Sequence, residues 1–584
     1  MNASDPYLQK QMKRKKMLKK RWTMLGLGVI ILLVTVVLLA VGLSRKKTKT
    51  ADSNPQADSE TIRSVCNSTN YPDTCVATLS AYDGAGNASA KDLVGIAMNI
   101  ALQGVNTSLQ LVETFLKLEQ NVTINAALQD CLDNLANAID QINISLSHFS
   151  SFSLTTLLET LTEIQTSMSS ALTFQTTCNE DGFAGITGDS SDEIGRDGEY
   201  VKQLLSNALA LSNILSSLEN ELSQWKHAIP SRRLLSVPHD EPIPLSDVAA
   251  SFPEWVSHGS RKLLQANISI LPNVTVAHDG SGQFVRIQDA VNAAPNKSSS
   301  YYVIKIKAGI YNESVTIPKT VTNLMLVGDG AEKTIITGSK NVGQPGITTF
   351  NSATVVVEGN GFLARNLTIQ NTAGAAMHQA VALRVSADQV VLYGCSLAGY
   401  QDTLYTHTLR QFYKECTISG TVDFIFGNSA AIFQDCTLVA RVPLAGQQNT
   451  FTAQGRLDKF QNTGLSFHRC NVGGTPDLQR AIMNYTTFLG RPWKIYSRTA
   501  FMLSSLSSVV DPTGWLEWNG APVVPGTLFY GEYNNIGAGA ATSKRVNWST
   551  VMNENQAEKF TVSSLIQGNN WIPTTQISFI GALS

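Results

Sequence analysis

The chain has 584 residues, with 43% hydrophobic and 15% charged: too long for one compact domain of ordinary size and too apolar to be disordered. Its net charge of −1 excludes a uniform polycation, yet it hides three regions. Residues 1–49 carry 12 Lys/Arg against Asp5 (+11), residues 50–264 carry 10 against 26 acids (−16), and residues 265–584 carry 22 against 18 (+4), so three different roles are expected. The absence of a Walker-type loop or a dense basic–aromatic patch argues against nucleotide or nucleic-acid partners. The absence of HExxH and paired CxxC patterns argues against a metal site.

Trp22 to Leu43 is an uncharged run of 22 residues, enough at ~1.5 Å per residue to cross a ~30 Å hydrocarbon core. The upstream KQMKRKKMLKKR is more basic than the downstream RKKTK. The positive-inside rule therefore places tail 1–21 in the cytosol and the rest of the chain across the membrane. The run exceeds a signal-peptide core and no clear cleavage site follows it, which predicts a transmembrane signal anchor at 22–43. N-x-S/T sequons at Asn67, Asn87, Asn106, Asn121, Asn143, Asn267, Asn273, Asn366 and Asn547, and eight cysteines, agree with an exported glycoprotein.

Residues 60–225 contain four long segments with apolar residues at three-to-four spacing, such as DLVGIAMNIALQGVNTSLQLVETFLKLE and EYVKQLLSNALALSNILSSLENEL. They predict an all-α, antiparallel four-helix bundle. Cys66 and Cys75 precede it closely, and Cys131 and Cys178 fall in the second helix and just after the third, so local pairing within each couple is the simplest assignment. In 226–264 the helical pattern stops at Pro230, Pro238, Pro242, Pro244 and Pro253. This linker holds RRLL (Arg232 to Leu235) and RKLL (Arg261 to Leu264). Two near-identical dibasic sites in one exposed secretory linker predict proteolytic processing.

From 266 to 584 the pattern changes to short β-branched and aromatic runs broken by Gly, Asn and Asp. FLARNLTIQ, VVLYGCSLA, QFYKECTIS and AIFQDCTLV share one frame, with markers at Asn366, Cys395, Cys416 and Cys436 spaced 29, 21 and 20; LSFHRCNVG adds Cys470, 34 on. Steps of this size predict a parallel β-solenoid, with equivalent residues stacked at the strand spacing of ~4.8 Å. Three stacked cysteines can make only one internal bridge, and the register leaves open which.

The same step makes Asp402 and Asp423, 21 apart, neighbours on adjacent turns; Gln379 and Gln401, 22 apart, fall in similar places. Two carboxylates and two amides then share one patch. Repulsion between the carboxylates should raise one pKa and leave the other low, giving an acid and an ionised carboxylate together. Arg491 in LGRPWK is a candidate counter-ion. His378 and His407 lie close enough to line a cleft. Paired carboxylates at this spacing also suit retaining glycoside cleavage, but flanking amides favour an ester oxyanion.

GSGQF, QAVALR, GYQDTLY, GTVDFIFGN and LGRPWK, in this order, closely resemble plant pectin methylesterases (pectinesterases) with an N-terminal pectin methylesterase/invertase inhibitor-like pro-region. The resemblance implies a right-handed parallel β-helix that hydrolyses methyl esters of homogalacturonan without a cofactor. It implies Asp423 as nucleophile, Asp402 as proton donor, and Gln401 and Gln379 as oxyanion donors. Thr349 of GITTF, Gln379, Arg491 and Trp493 would bind substrate. It also implies a Cys416–Cys436 disulfide, with Cys395 and Cys470 unassigned, and a subtilase-type protease acting at the two linker sites. The −16 pro-region would dock on the +4 enzyme and block it until the linker is cut, leaving a mature enzyme in the extracellular wall.

Overall fold

The computed structural model describes residues 55–151, 157–180, 189–228, 271–520 and 526–584. The expected span 22–43 and both dibasic sites, 232–235 and 261–264, lie outside the described residues. Among the described residues, no helix is long and apolar enough to cross a membrane.

The first unit is helical: α1 Pro55–Cys66, α2 Pro72–Ser80, α3 Ala90–Leu118, α4 Val122–Ser150, α5 Leu157–Glu180 and α6 Asp189–Ala228. Local signals set the starts. Ser89 and Asp92 form a reciprocal capping box on α3, and the Asn121 side chain accepts from Thr123 N and Ile124 N at the head of α4. The four long helices close a ring in which α3 packs on α4 and α6, and α5 packs on the same two. Met98, Leu128, Leu135, Ile164, Met168 and Leu205 fill the centre. The Cys66–Cys75 and Cys131–Cys178 disulfides form as local pairing predicts. The second of them pins the end of α5 to α4.

The second unit is a coil of three parallel sheets with 11, 7 and 8 strands; its seven complete turns add one strand to each sheet, and the turns at the ends add to fewer. Strand pairing reproduces the sequence steps: Leu404 pairs with Ile425, Gln411 with Val390, and Thr417 with Thr437. One marker needs correction. Arg365 pairs with Tyr393, so Asn366 stands level with Gly394, and Leu367, not Asn366, precedes Cys395 in its column. Asn366 and Gly394 have left-handed φ values of 54° and 60°, a turn conformation that Asn and Gly tolerate. A Cβ on Gly394 would meet Asn366 Oδ1 at 2.8 Å.

The disulfide expected between Cys416 and Cys436 is not formed: both are free buried thiols, like Cys395 and Cys470. In-register parallel strands hold equivalent Cβ atoms side by side near the ~4.8 Å strand spacing, wider than the ~3.8 Å a disulfide favours. The thiols turn instead to backbone carbonyls, Cys416 Sγ to Leu392 O at 3.4 Å and Cys436 Sγ to Tyr413 O at 3.4 Å. Beside them an aromatic column runs through the core: Tyr413, Phe433, Phe467 and Phe501 stack with centroids 4.4–4.6 Å apart. Strand register itself spaces these rings.

Candidate active site

The site lies on the seven-stranded sheet, where strands Leu404–Thr406, Ile425–Gly427, Thr452–Gln454 and Arg491–Pro492 lie side by side. Leu404 and Ile425 point into the core, so Tyr405 and Phe426, one residue on, face outward. Their rings stack at 4.2 Å. Phe350, Trp493 and Trp518 extend this apolar floor.

Just upstream of these strands the chain enters the left-handed region at Asp402 (φ 64°) and Asp423 (φ 50°), which Asp accepts more readily than most residues. Register continues the column: Ile425 pairs with Thr452, so Thr450 stands level with Asp423 on the next turn. Thr450 Oγ1 donates to Asp423 Oδ1 at 2.6 Å and accepts from Asp423 N at 2.7 Å. Arg491 grips the same carboxylate as a fork, Nε to Oδ1 at 2.9 Å and Nη2 to Oδ2 at 2.7 Å. Burial is the largest influence on Arg491 and opposes its charge, but the hydrogen bonds and charge of Asp423 together with the charge of Asp402 outweigh it, and the pKa is raised. The guanidinium also sits 4.3 Å from the Trp518 ring. Asp402 and Asp423 are both buried, at 7% and 5% exposure.

The other expected residues are held less tightly. Ala380 N donates to Gln401 O at 3.2 Å, so the ladder sets Gln401 level with Ala380 and Gln379 one residue off. Gln401 Oε1 is buried without a hydrogen bond among the described residues. Gln379 is half-buried, and its carbonyl accepts from Val342 N at 3.1 Å. Thr349 lies with Val342 between the strands Thr334–Gly338 and Val355–Val357, where its carbonyl accepts from Ser352 Oγ at 2.9 Å. Trp493 lies on the floor, 6.1 Å from Phe426. His378 is exposed. His407 is buried between Ser386 Oγ (3.0 Å to Nδ1) and Thr177 Oγ1 (2.8 Å to Nε2), and burial pushes its pKa well below the usual value.

Sequence reasoning missed Thr450, Tyr405, Phe426 and Trp518. The two aromatics were within reach: QDTLY and VDFIF both place an aromatic three residues after the aspartate.

One edge of the site meets the helical unit along α5. Glu163, Thr166, Ser169, Thr173, Thr177 and Glu180 recur at helical spacing. Glu163 forks Arg410 at 2.7 and 2.8 Å, and Asn462 Nδ2 donates to Thr166 Oγ1 at 2.9 Å. Gln461 Nε2 donates to Ser169 O at 2.9 Å, and Asn428 Nδ2 to Thr173 Oγ1 at 2.9 Å. Thr177 meets His407, and Glu180 pairs with Lys494. From α4, Asp130 accepts from Thr348 Oγ1, and from Asn351 Nδ2 at 3.3 Å.

Known proteins share both units. Residues 273–569 match the Pectinesterase family, and residues 60–211 match the Plant invertase/pectin methylesterase inhibitor family. The chain is similar to pectinesterase/pectinesterase inhibitor U1 of Solanum lycopersicum, 39% identical with 99% of each chain covered. It is similar to pectinesterase 3 of Citrus sinensis, 40% identical over 92% of this chain and 90% of that protein. Among solved structures it resembles pectin methylesterase from carrot, 52% identical with a TM-score of 0.53, covering 54% of this chain and 99% of the carrot chain.

Proposed function

The chain belongs to the pectinesterase family, with an inhibitor-type domain ahead of its enzyme domain, and from that premise we propose how it hydrolyses the methyl esters of homogalacturonan. Asp423 attacks the ester carbonyl, and Gln379 and Gln401 donate to the developing oxyanion. As the tetrahedral centre collapses, the C–O bond breaks and Asp402 passes its proton to the departing methoxide, releasing methanol. Asp402 then takes a proton from water, whose oxygen attacks the acyl-enzyme and returns Asp423 as a carboxylate. Arg491 and Thr450 hold Asp423 in place, and Trp493 and Thr349 position the polymer. The observation that carries this reading is the grip of Arg491 and Thr450 on Asp423, beside a second buried aspartate one turn away. Asp423→Asn should abolish methanol release from pectin while circular dichroism and melting stay unchanged; retained release sinks the assignment.

The contacts of α5 beside the aromatic floor support the helical unit as an intramolecular inhibitor. In this proposal the precursor is anchored through 22–43, a subtilase-type protease cuts at 232–235 or 261–264, and the mature enzyme acts in the extracellular cell wall. An uncleaved chain as active as the cleaved one overturns the inhibitory role.

A further inference from the structure

A cavity of about 420 Å³ lies at the seam of the two units, and no residue of the ester chemistry lines it. α5 and α6 wall one side through Gln165 and Asn213; the enzyme unit supplies four cations, Arg456, Lys459, Arg498 and Lys559. No carboxylate lines it, and among the described residues none forms an ion pair with any of the four. Asp458, beside Lys459, is engaged elsewhere: it accepts from Ser206 Oγ, from Asn70 Nδ2 at 3.0 Å and from Phe460 N at 2.8 Å. The two arginines are held side by side, because Gln454 Oε1 accepts from Arg456 N at 3.0 Å and from Arg498 N at 2.8 Å. Arg456 is 8% exposed, and its guanidinium reaches only carbonyls, Gln461 O at 2.8 Å, Tyr496 O at 3.3 Å and Lys459 O. Arg498 spends Nε and Nη2 on Thr463 O, which leaves Nη1 without an acceptor among the described residues. Burial outweighs the charge of Asp458 and pulls the Arg456 pKa down to about 10; burial, and after it the charge of Arg456, lowers that of Arg498.

Buried cations are costly to leave without a counter-ion, and two guanidiniums side by side repel as well. An anion in the cavity relieves both, and guanidinium geometry suits the oxygens of a carboxylate or a phosphate. We propose that this seam binds a small, multiply charged oxyanion, which takes the free donors of Arg498, Lys459 and Lys559. The helical unit shares in the site. Gln165 Nε2 and Asn213 Nδ2 donate to Phe460 O at 3.1 and 3.3 Å, and so fix the loop 456–462 that carries Arg456 and Lys459. The anion and the helical unit favour the same loop, so each strengthens the binding of the other. The bound anion thus acts as a clamp on the docked precursor. The inference does not depend on how the aspartates act.

The test uses the purified full chain, uncleaved, with inorganic phosphate and citrate as probes in calorimetric titration and thermal melting against a background of about 0.15 M sodium chloride, which screens unspecific attraction. At least one probe should bind saturably, one per chain, with Kd below about 1 mM, and should raise the melting temperature in step with its occupancy. The tighter probe tells whether the site takes phosphates or carboxylates. Lys459→Gln combined with Lys559→Gln changes two exposed side chains and leaves the interior intact; it should weaken the tighter probe about tenfold. Binding that does not saturate with either probe, or an affinity that the lysine pair leaves within about twofold of wild type, shows an adventitious ion only and overturns the site. Gln165→Ala combined with Asn213→Ala should weaken the tighter probe several-fold, and unchanged affinity overturns the share given to the helical unit.

Discussion

Asp423 shows what a single position requires here. Its carboxylate accepts from both nitrogens of the Arg491 fork and from Thr450, and its own amide donates to Thr450. Lysine cannot reproduce a planar fork. Arg491→Lys should therefore lower kcat on pectin by roughly tenfold to a hundredfold with the fold intact, read from methanol release and thermal melting. Thr450→Val keeps the shape but removes the hydroxyl; it should cost about tenfold in kcat with little change in KM, and a KM effect alone would count against a role in placing the nucleophile. Asp402 and Asp423 were legible in the sequence because one repeat length separates them. Thr450 was not, because the step to the next turn is 27 residues and the column changes from aspartate to threonine, so no shared letter marks it. Gln379 and Gln401 were legible as a pair, but the one-residue slip between their spacing and the ladder appears only once the strands are paired.

Among the elements, α5 carries a double load. Its apolar side, with Ile164, Met168, Ala171 and Leu172, fills the helical core, while its Ser/Thr/Glu stripe faces the turns of the β-helix. The apolar periodicity was enough to predict a helix of the bundle. The polar stripe reads in sequence as an ordinary solvated face, and only the opposing Arg410, Asn428, Gln461 and Lys494 show it to be an interface. Glu163→Gln removes one of the two carboxylates on Arg410 and leaves Asp388 in place. It should raise methanol release by the uncleaved chain several-fold while leaving the cleaved enzyme unchanged. In the β-helix the aromatic column sets the cost of core damage. Phe433→Ala opens a cavity between Tyr413 and Phe467 and should destabilise that unit by about 3–5 kcal/mol, measured as a fall in chemical-denaturation midpoint. The cysteine column beside it follows the same register, which is why neighbouring thiols recur there without bridging.

For the molecule as a whole, the charge split of −16 against +4 becomes a set of particular contacts between the units, and one of them is pH-sensitive. Burial raises the Asp130 carboxyl from 3.8 to about 6, against the hydrogen bonds of Thr348 and Asn351 and the charge of Arg384, with Asp133 pushing the same way as burial. The docked state thus holds a proton that a solvated carboxyl releases at its ordinary value. Docking is favoured at low pH, loses that contribution as pH rises from about 4 to 6, and lacks it above. Activity of the uncleaved chain relative to the cleaved enzyme should rise across this window, and Asp130→Asn should flatten the rise.

The sequence alone determined two units of different period, the repeat step and hence the aspartate pair. Hydrophobic periodicity and repeat length are local properties of the chain, and they suffice for all of these. Tertiary structure decided the rest: the exact rung of each turn, the free state of Cys416 and Cys436, the Thr450 rung, and the meeting of α5 with the aromatic floor. These depend on turns of unequal length and on surfaces from distant parts of the chain, which come into contact only when the backbone is closed into sheets.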